Sequence, residues 1–286
     1  MPCILKGLRD LVGRYDVLLC DVWGVVHDGR AAFPGPCAAL ARWRAGAGPV
    51  VLISNSPRLA ADVGRQLESL GAPRKAWSAL VTSGDVTRIL LAERAPGPAF
   101  ALGPDRDRVL YEGLGLAFAS IDEAAFISCT GLFDDEAETP EDYADLLAAG
   151  AERRLEMICA NPDKVVQRGD RLVYCAGALA ELYQRLGGAV RMAGKPHAPI
   201  YAASLARAGE LMAGGLDRRR VLAVGDGVAT DMAGAVAQGL DALYIARGIH
   251  AAETLSAEGQ VDAAAVDGLL ARSGLHARFA MTEVAW

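Results

Sequence analysis

The sequence predicts an α/β protein: a doubly wound parallel sheet with a second α/β domain inserted into it. Three observations predict this. Short apolar runs alternate with longer amphipathic ones near both ends of the chain, the pattern of strands joined by crossover helices. A second series of the same kind fills the middle. Polar and acidic residues stand directly after several of the apolar runs, where parallel sheets bind their ligands. With 286 residues the chain suits one large or two modest domains.

The first strand is expected at 16–21 and the second at 49–54, both nearly all apolar and so suited to burial on both faces. Residues 37–45 between them have helical spacing. A helix is expected over 57–70, with Ser56 as N-cap, Pro57 at the first position and Gly71 ending it. The middle series has strands at 99–102, 125–129 and 156–160, with helices at 140–151 and 178–186. A further strand is expected at 189–193. Strands at 220–225 and 241–246 flank a helix over 231–238. This organisation implies a core of 1–82 plus 189–286 and an inserted domain of 83–188. No internal repeat or low-complexity linker is visible.

Composition excludes several function classes. Hydrophobic residues make up 52% and charged residues 22%, enough for a sizeable core. The net charge of -6 and the pI near 5.3 argue against a nucleic-acid partner, which favours a basic face. No run of about 18 apolar residues occurs, so no membrane span is expected. The N-terminal stretch is broken by Lys6, Arg9, Asp10 and Arg14 and does not read as a signal peptide. Six scattered cysteines without a CxxC pair read as reduced and mostly buried, as in a cytoplasmic protein.

Four short motifs carry the chemistry, each placed after an expected strand. Asp21 follows the first and leads into Val22, Trp23, Gly24 and Val25, where a carboxylate is exposed to a crevice. Ser54, Asn55 and Ser56 follow the second and offer hydroxyl and amide donors suited to phosphate oxygens. Gly194, Lys195 and Pro196 follow the strand at 189–193. Lys195 is one of only four lysines against 25 arginines, and a point cation suits a phosphate or carboxylate cluster. Gly225 and Asp226 follow the strand at 220–225, with Asp231 five residues on. Two carboxylates about 4 Å apart repel by roughly 4 kcal/mol at an effective dielectric near 20. Such acids need a cation or a proton, and hard oxygen ligands without nearby histidine or cysteine suit Mg²⁺.

In this order the motifs resemble the haloacid dehalogenase superfamily. More narrowly they resemble class IIA, the branch of sugar, nucleotide, nitrophenyl and pyridoxal phosphate phosphatases. That class places its cap domain between the second and third motifs, where the extra segment lies here. The stretch Ala160, Asn161, Pro162, Asp163 and the later Gly177 also look like it. The resemblance implies a Mg²⁺-dependent phosphohydrolase acting on a small phosphorylated substrate through an aspartyl-phosphate on Asp21. It implies metal ligation by Asp21, the Trp23 backbone carbonyl and Asp226, with Asp231 orienting metal-bound water. It assigns Ser54 and Lys195 to the phosphoryl oxygens, with Asn55 beside them, and brings Gly227 near the substrate. A homodimer is consistent with the class.

One position departs from the pattern. Trp23 stands where the class has a second aspartate, which protonates the leaving group and then activates water. Loss of such help costs about 10²–10⁴ in rate. His27 or Asp28, just beyond, could replace it; both equally suit a turn. Asn161 and Asp163 are substrate-contact candidates whose alternative is turn chemistry. Trp23 leaves two other readings open. One is a non-catalytic phosphate-ligand binder or regulator on the same scaffold. The other is a metal-free dehalogenase, disfavoured because Asp226 is kept. His197, His250 and His276 show no metal-ligand spacing, and Trp43, Trp77 and Trp286 read as packing residues.

Overall fold

The computed structural model describes residues 1–168 and 171–286. In chain order its strands and α-helices are β1 (Cys3–Ile4), β2 (Val17–Asp21), α1 (Pro34–Gly46), β3 (Val50–Ser54), α2 (Ala60–Ser69), β4 (Ala79–Thr82), α3 (Ser83–Ala92), β5 (Ala99–Leu102), β6 (Phe126–Cys129), α4 (Ala144–Glu152), β7 (Glu156–Cys159), β8 (Val165–Arg168), β9 (Arg171–Tyr174), α5 (Ala176–Arg185), β10 (Ala189–Met192), α6 (Ala198–Leu211), β11 (Val221–Gly225), α7 (Ala233–Ala237), β12 (Asp241–Ile245), α8 (Ala251–Thr254), α9 (Ala263–Ala271) and β13 (Phe279–Met281). The chain divides into two compact units. One comprises residues 1–54, 61–81 and 201–286; the other comprises 55–60 and 82–200.

The first unit is built on a seven-stranded sheet of order β1-β13-β12-β11-β2-β3-β4. The pairs β1–β13, β13–β12, β12–β11, β11–β2 and β2–β3 are parallel. Sequence explains why β2 lies inside the sheet. All five of its residues are buried, so both faces must be covered, and its Val-Leu-Leu-Cys run meets that demand. The neighbouring β11 and β3 are equally apolar. Under the sheet, Trp43 of α1 is fully buried in a cluster with Leu18, Leu40, Leu52 and Leu67. Burying each such aliphatic side chain contributes about 1.5–3 kcal/mol.

The second unit has its own four-stranded parallel sheet, β10-β7-β6-β5, and a separate antiparallel pair, β8–β9. Its core is distinct and gathers Ile127, Leu147, Met157, Leu179 and Tyr183. The strand expected at 189–193 is present as β10. It pairs with β7, Ala189 opposite Glu156, and so belongs to this second sheet. The division by contacts therefore returns to the first unit near residue 200, later than the 189 read from sequence.

Two helices differ from expectation. The helix expected from Pro57 starts at Ala60 instead. Ser56 does not cap it: the Ala60 amide donates to Asp85 Oδ1 at 3.1 Å, while the Ser56 hydroxyl accepts from the Arg58 amide within a turn. That turn lays the Pro57 and Arg58 carbonyls against Gly84, where any Cβ would collide. Asp85 is fixed in turn by a reciprocal cap with Thr82. The carbonyls of Pro162 and Asp163 press on Gly177 in the same way, a structural echo that no sequence repeat announces. The helix expected over 231–238 is a π turn, Val228–Met232, running into the short α7. π turns inside helices concentrate at functional sites. Trp77 packs inside as expected, but Trp286 is 36% exposed.

The buried Trp43 Nε1 has no hydrogen-bond partner. Trp43→Ala should lower the free energy of unfolding by about 3–5 kcal/mol. Trp43→Phe should cost clearly less, because it also removes an unpaired N–H worth about 1–3 kcal/mol. Urea unfolding of the two variants checks this.

Candidate active site

In the first unit, three adjacent strands deliver their carboxyl ends side by side. The register places Asp21 of β2 opposite Ile53 of β3, and Cys20 opposite Val224 of β11. Ser54 therefore ends β3 one residue beyond the level of Asp21, and Asp226 follows the end of β11. The π turn brings Asp231 back toward them. Asp21, Asp226 and Asp231 each offer a carboxylate oxygen, all within 4.8 Å of one another. Asp226 and Asp231 are buried, and Asp21 is only 9% exposed.

Small residues make this crowding feasible. A Cβ at Gly24 or Gly248 would collide with Asp226 Oδ2, and one at Gly225 would collide with Asp231 Cγ. Gly24 also has φ +81, a left-handed conformation that glycine adopts without strain. Backbone amides orient two of the acids. The Ile249 amide donates to Asp226 Oδ2 at 2.7 Å, and the Gly227 amide donates to Asp231 Oδ2 at 3.1 Å. Gly227 thus holds Asp231 as well as standing next to Asp226. The loop at Gly248 and Ile249 has no motif that sequence reading could have found.

Three carboxylates at this spacing repel by several kcal/mol in total. A divalent cation relieves that directly. The donor set fits one: hard carboxylate oxygens, with no histidine or cysteine among the described ligand candidates.

Residues 22–32 form a tight flap after Asp21. The Gly24 amide donates to the His27 carbonyl at 2.8 Å. The His27 ring is buried and meets the Trp23 ring edge-on, 5.1 Å between centroids. Trp23 lies over Gly29, where a Cβ would strike its ring. The Gly29 amide donates to His27 Nδ1 at 2.8 Å, so that nitrogen is an acceptor and the neutral ring carries its proton on Nε2. Burial lowers the His27 pKa further, against a smaller opposing pull from Asp28. Asp28 Oδ1 accepts from the Arg30 and Ala31 amides, which hold its carboxyl below the usual range. Both residues therefore have turn roles, and neither is set up as a proton donor.

Asn55 and Lys195 lie in the second unit, where they are knit together. The Lys195 amide donates to Asn55 Oδ1 at 2.7 Å, and Asn55 Nδ2 donates to the Lys195 carbonyl at 3.1 Å and to Asp163 Oδ1 at 2.9 Å. Both Nδ2 hydrogens of Asn55 are thus engaged, and the side chain holds the backbone of Lys195. The Lys195 side chain is 3% exposed. Burial raises the Asp163 pKa, while the Asn55 hydrogen bond and the Lys195 charge pull it back. Asn161 Oδ1 accepts from the Asp163 amide at 3.0 Å, the turn expected of that stretch. Asp163 does more than turn the chain, which sequence alone did not disclose.

Two family models match: haloacid dehalogenase-like hydrolase over residues 18–117 and HAD-hydrolase-like over 192–271. A haloacid dehalogenase-like hydrolase from Brucella suis 1330 is 45% identical, covering 99% of this chain and 100% of that one, with a TM-score of 0.84. The chain belongs to the haloacid dehalogenase-like hydrolase family. The D-glycerol 3-phosphate phosphatase of Mycobacterium tuberculosis (strain ATCC 25618 / H37Rv) is 26% identical over 255 residues, 86% of this chain and 67% of that protein. A crystal structure of the M. tuberculosis glycerol phosphate phosphatase in complex with magnesium aligns with a TM-score of 0.65 over 88% of this chain and 74% of that one, also at 26% identity. The p-nitrophenyl phosphatase of Archaeoglobus fulgidus shares the fold, with a TM-score of 0.73 at 20% identity over 94% of this chain and 96% of that one. These phosphatases are of the class IIA kind that the motifs resemble.

Gly13 and Gly24 share φ +81, but an added Cβ meets nothing within 4 Å at Gly13 and the Asp226 carboxylate at Gly24. Alanine at either should cost about 1–2 kcal/mol of stability through backbone strain. Only Gly24→Ala should also weaken Mg²⁺ binding, by tenfold or more on the order expected for a displaced ligand-orienting contact. Calorimetric titration of both variants with MgCl₂ checks the difference.

Proposed function

We propose that the chain is a Mg²⁺-dependent phosphohydrolase of small phosphate monoesters, working through an aspartyl-phosphate on Asp21. The convergence of Asp21, Asp226 and Asp231 at adjacent strand ends carries this reading. The M. tuberculosis relative, named for D-glycerol 3-phosphate and solved with magnesium, supports it.

Asp21 is the nucleophile. It stands at the carboxyl end of β2, fixed by the strand's pairing with β3 and β11. One Asp21 oxygen attacks phosphorus while the bond to the ester oxygen breaks, leaving a phosphorylated Asp21. Water then adds to that phosphorus, and the electron pair of the acyl phosphate bond returns to the Asp21 carboxylate. Asp21, the Trp23 carbonyl and Asp226 would hold Mg²⁺, and Asp231 would orient its water. Bound there, the metal supplies charge neutralisation for the phosphoryl oxygens. Ser54, half-buried at the end of β3, is assigned a hydrogen bond to the phosphoryl group. Lys195 is assigned to the same group on its motif, with Asn55 positioning its backbone. The second unit is read as the cap domain, the source of substrate choice.

No helix among the described residues is long and apolar enough to cross a membrane. None of the six cysteines is in a disulfide, and we read the location as cytoplasmic.

Purified protein should hydrolyse p-nitrophenyl phosphate with MgCl₂, lose that activity in EDTA, and lose it in Asp21→Asn. Activity that persists in EDTA or in Asp21→Asn would refute the reading. Lys195→Met should lower kcat/KM by about 10²–10³, the loss typical of one preorganised group facing a developing negative charge.

A further inference from the structure

The flap beyond Asp21 contains no available proton donor. The indole of Trp23 has no titratable group. His27 is buried, with Nδ1 engaged by the Gly29 amide. Asp28 is an exposed turn carboxylate held by two backbone amides. At the same time, Trp23 is 53% exposed two residues from the nucleophile, although large aromatic side chains are usually buried. It is not loose. Gly29 backs one side of its ring, His27 meets it edge-on, and the Gly24 amide ties the loop to the His27 carbonyl. An exposed aromatic surface held this firmly suits a planar partner, which stacks on it with little loss of side-chain freedom.

We infer that Trp23 is a specificity residue that stacks against the leaving group, and that it selects esters whose leaving group is planar and weakly basic, of the aryl or enol class. The inference deepens the phosphohydrolase reading and rests on it. When the phosphorus–oxygen bond breaks, its electron pair goes to the leaving oxygen. With no donor in the flap, that oxygen departs as an anion and takes its proton from solvent afterwards. An aryloxide, with a conjugate acid near the tyrosine value of about 10, can do this. A simple alkoxide is far more basic and cannot do so at a useful rate. In the second step the attacking water releases its proton with the inorganic phosphate. The planar ring that makes a leaving group weakly basic is also the shape that the indole receives.

The test compares kcat/KM for p-nitrophenyl, phenyl and cyclohexyl phosphate in the wild type, Trp23→Phe and Trp23→Asp, all with MgCl₂. Phenyl and cyclohexyl phosphate are similar in size but differ in flatness and leaving-group basicity. The wild type should prefer phenyl over cyclohexyl phosphate by about 10²-fold or more, the span of one missing proton transfer. Trp23→Phe should keep that preference. Trp23→Asp should raise KM for the aryl esters and bring cyclohexyl phosphate to within about tenfold of them. Because Trp23 is exposed, neither variant should disturb folding.

A binding readout separates stacking from turnover. In the Asp21→Asn background, p-nitrophenyl phosphate should quench tryptophan fluorescence, and most of the quenching should vanish when Trp23→Phe is added. Equal kcat/KM for phenyl and cyclohexyl phosphate in the wild type would overturn the inference while leaving the phosphatase intact. Quenching that is unchanged by Trp23→Phe would overturn it too. Quenching that depends on Trp23, with no ester turned over by the wild type, would instead uphold the stacking and refute the phosphohydrolase reading.

Discussion

Mutual repulsion among Asp21, Asp226 and Asp231 is the constraint around which the first unit is arranged. Three carboxylate oxygens within 4.8 Å are unstable unless a cation or protons compensate them. The fold nevertheless brings them together and holds them there. Parallel pairing of β2 with β11 fixes two of the acids at one end of the sheet, and the π turn returns the third. Amides of Gly227 and Ile249 hold the carboxylates in place, and the bare backbones of Gly24, Gly225 and Gly248 leave room for them. Such crowding serves binding rather than stability, and the apolar strands beneath offset its cost.

The flap adds a second constraint. Its hydrogen bonds satisfy His27 and Asp28 within the loop and leave Trp23 presented outward. A charged donor at that position would ease departure of any leaving group. An indole eases only those that leave readily as anions. If Trp23 receives the leaving group as inferred, departure at Asp21 and the choice of substrate are linked through that one side chain. In the second unit, the pairing of Asn55 with the Lys195 backbone shows the same economy: a single amide locks a buried cation's main chain and touches Asp163 as well.

Much of this was legible in the sequence where one local cause dominates. The strands β2, β3, β5, β11 and β12 follow from apolar runs that have no other stable use, and their ends locate Asp21, Ser54 and Asp226. Gly71 marks a helix end because its φ of +93 suits glycine. The misses occur where distant residues decide. The start of α2 is set by Asp85 and Gly84, more than twenty residues away, so the Ser56–Pro57 signal for a helix start was outweighed. β10 looks like any short apolar strand, and only its pairing with β7 reveals which sheet it joins. Asn55 stands beside Ser54 in sequence, but its hydrogen-bond partners, 108 and 140 residues further along the chain, could not be read from that neighbourhood. The support of Asp226 by Ile249 has no sequence signature at all, since a backbone amide can come from any residue.

The central claim is that Asp21 takes up the phosphoryl group beside a metal held with Asp226. A crystal structure of the protein grown with MgCl₂ and beryllofluoride tests it most directly. The account predicts a trifluoroberyllate group covalently attached to an Asp21 oxygen, and one Mg²⁺ ligated by the other Asp21 oxygen, the Trp23 carbonyl and Asp226. A beryllofluoride group absent from Asp21, or a metal ligated without Asp21 and Asp226, would contradict it.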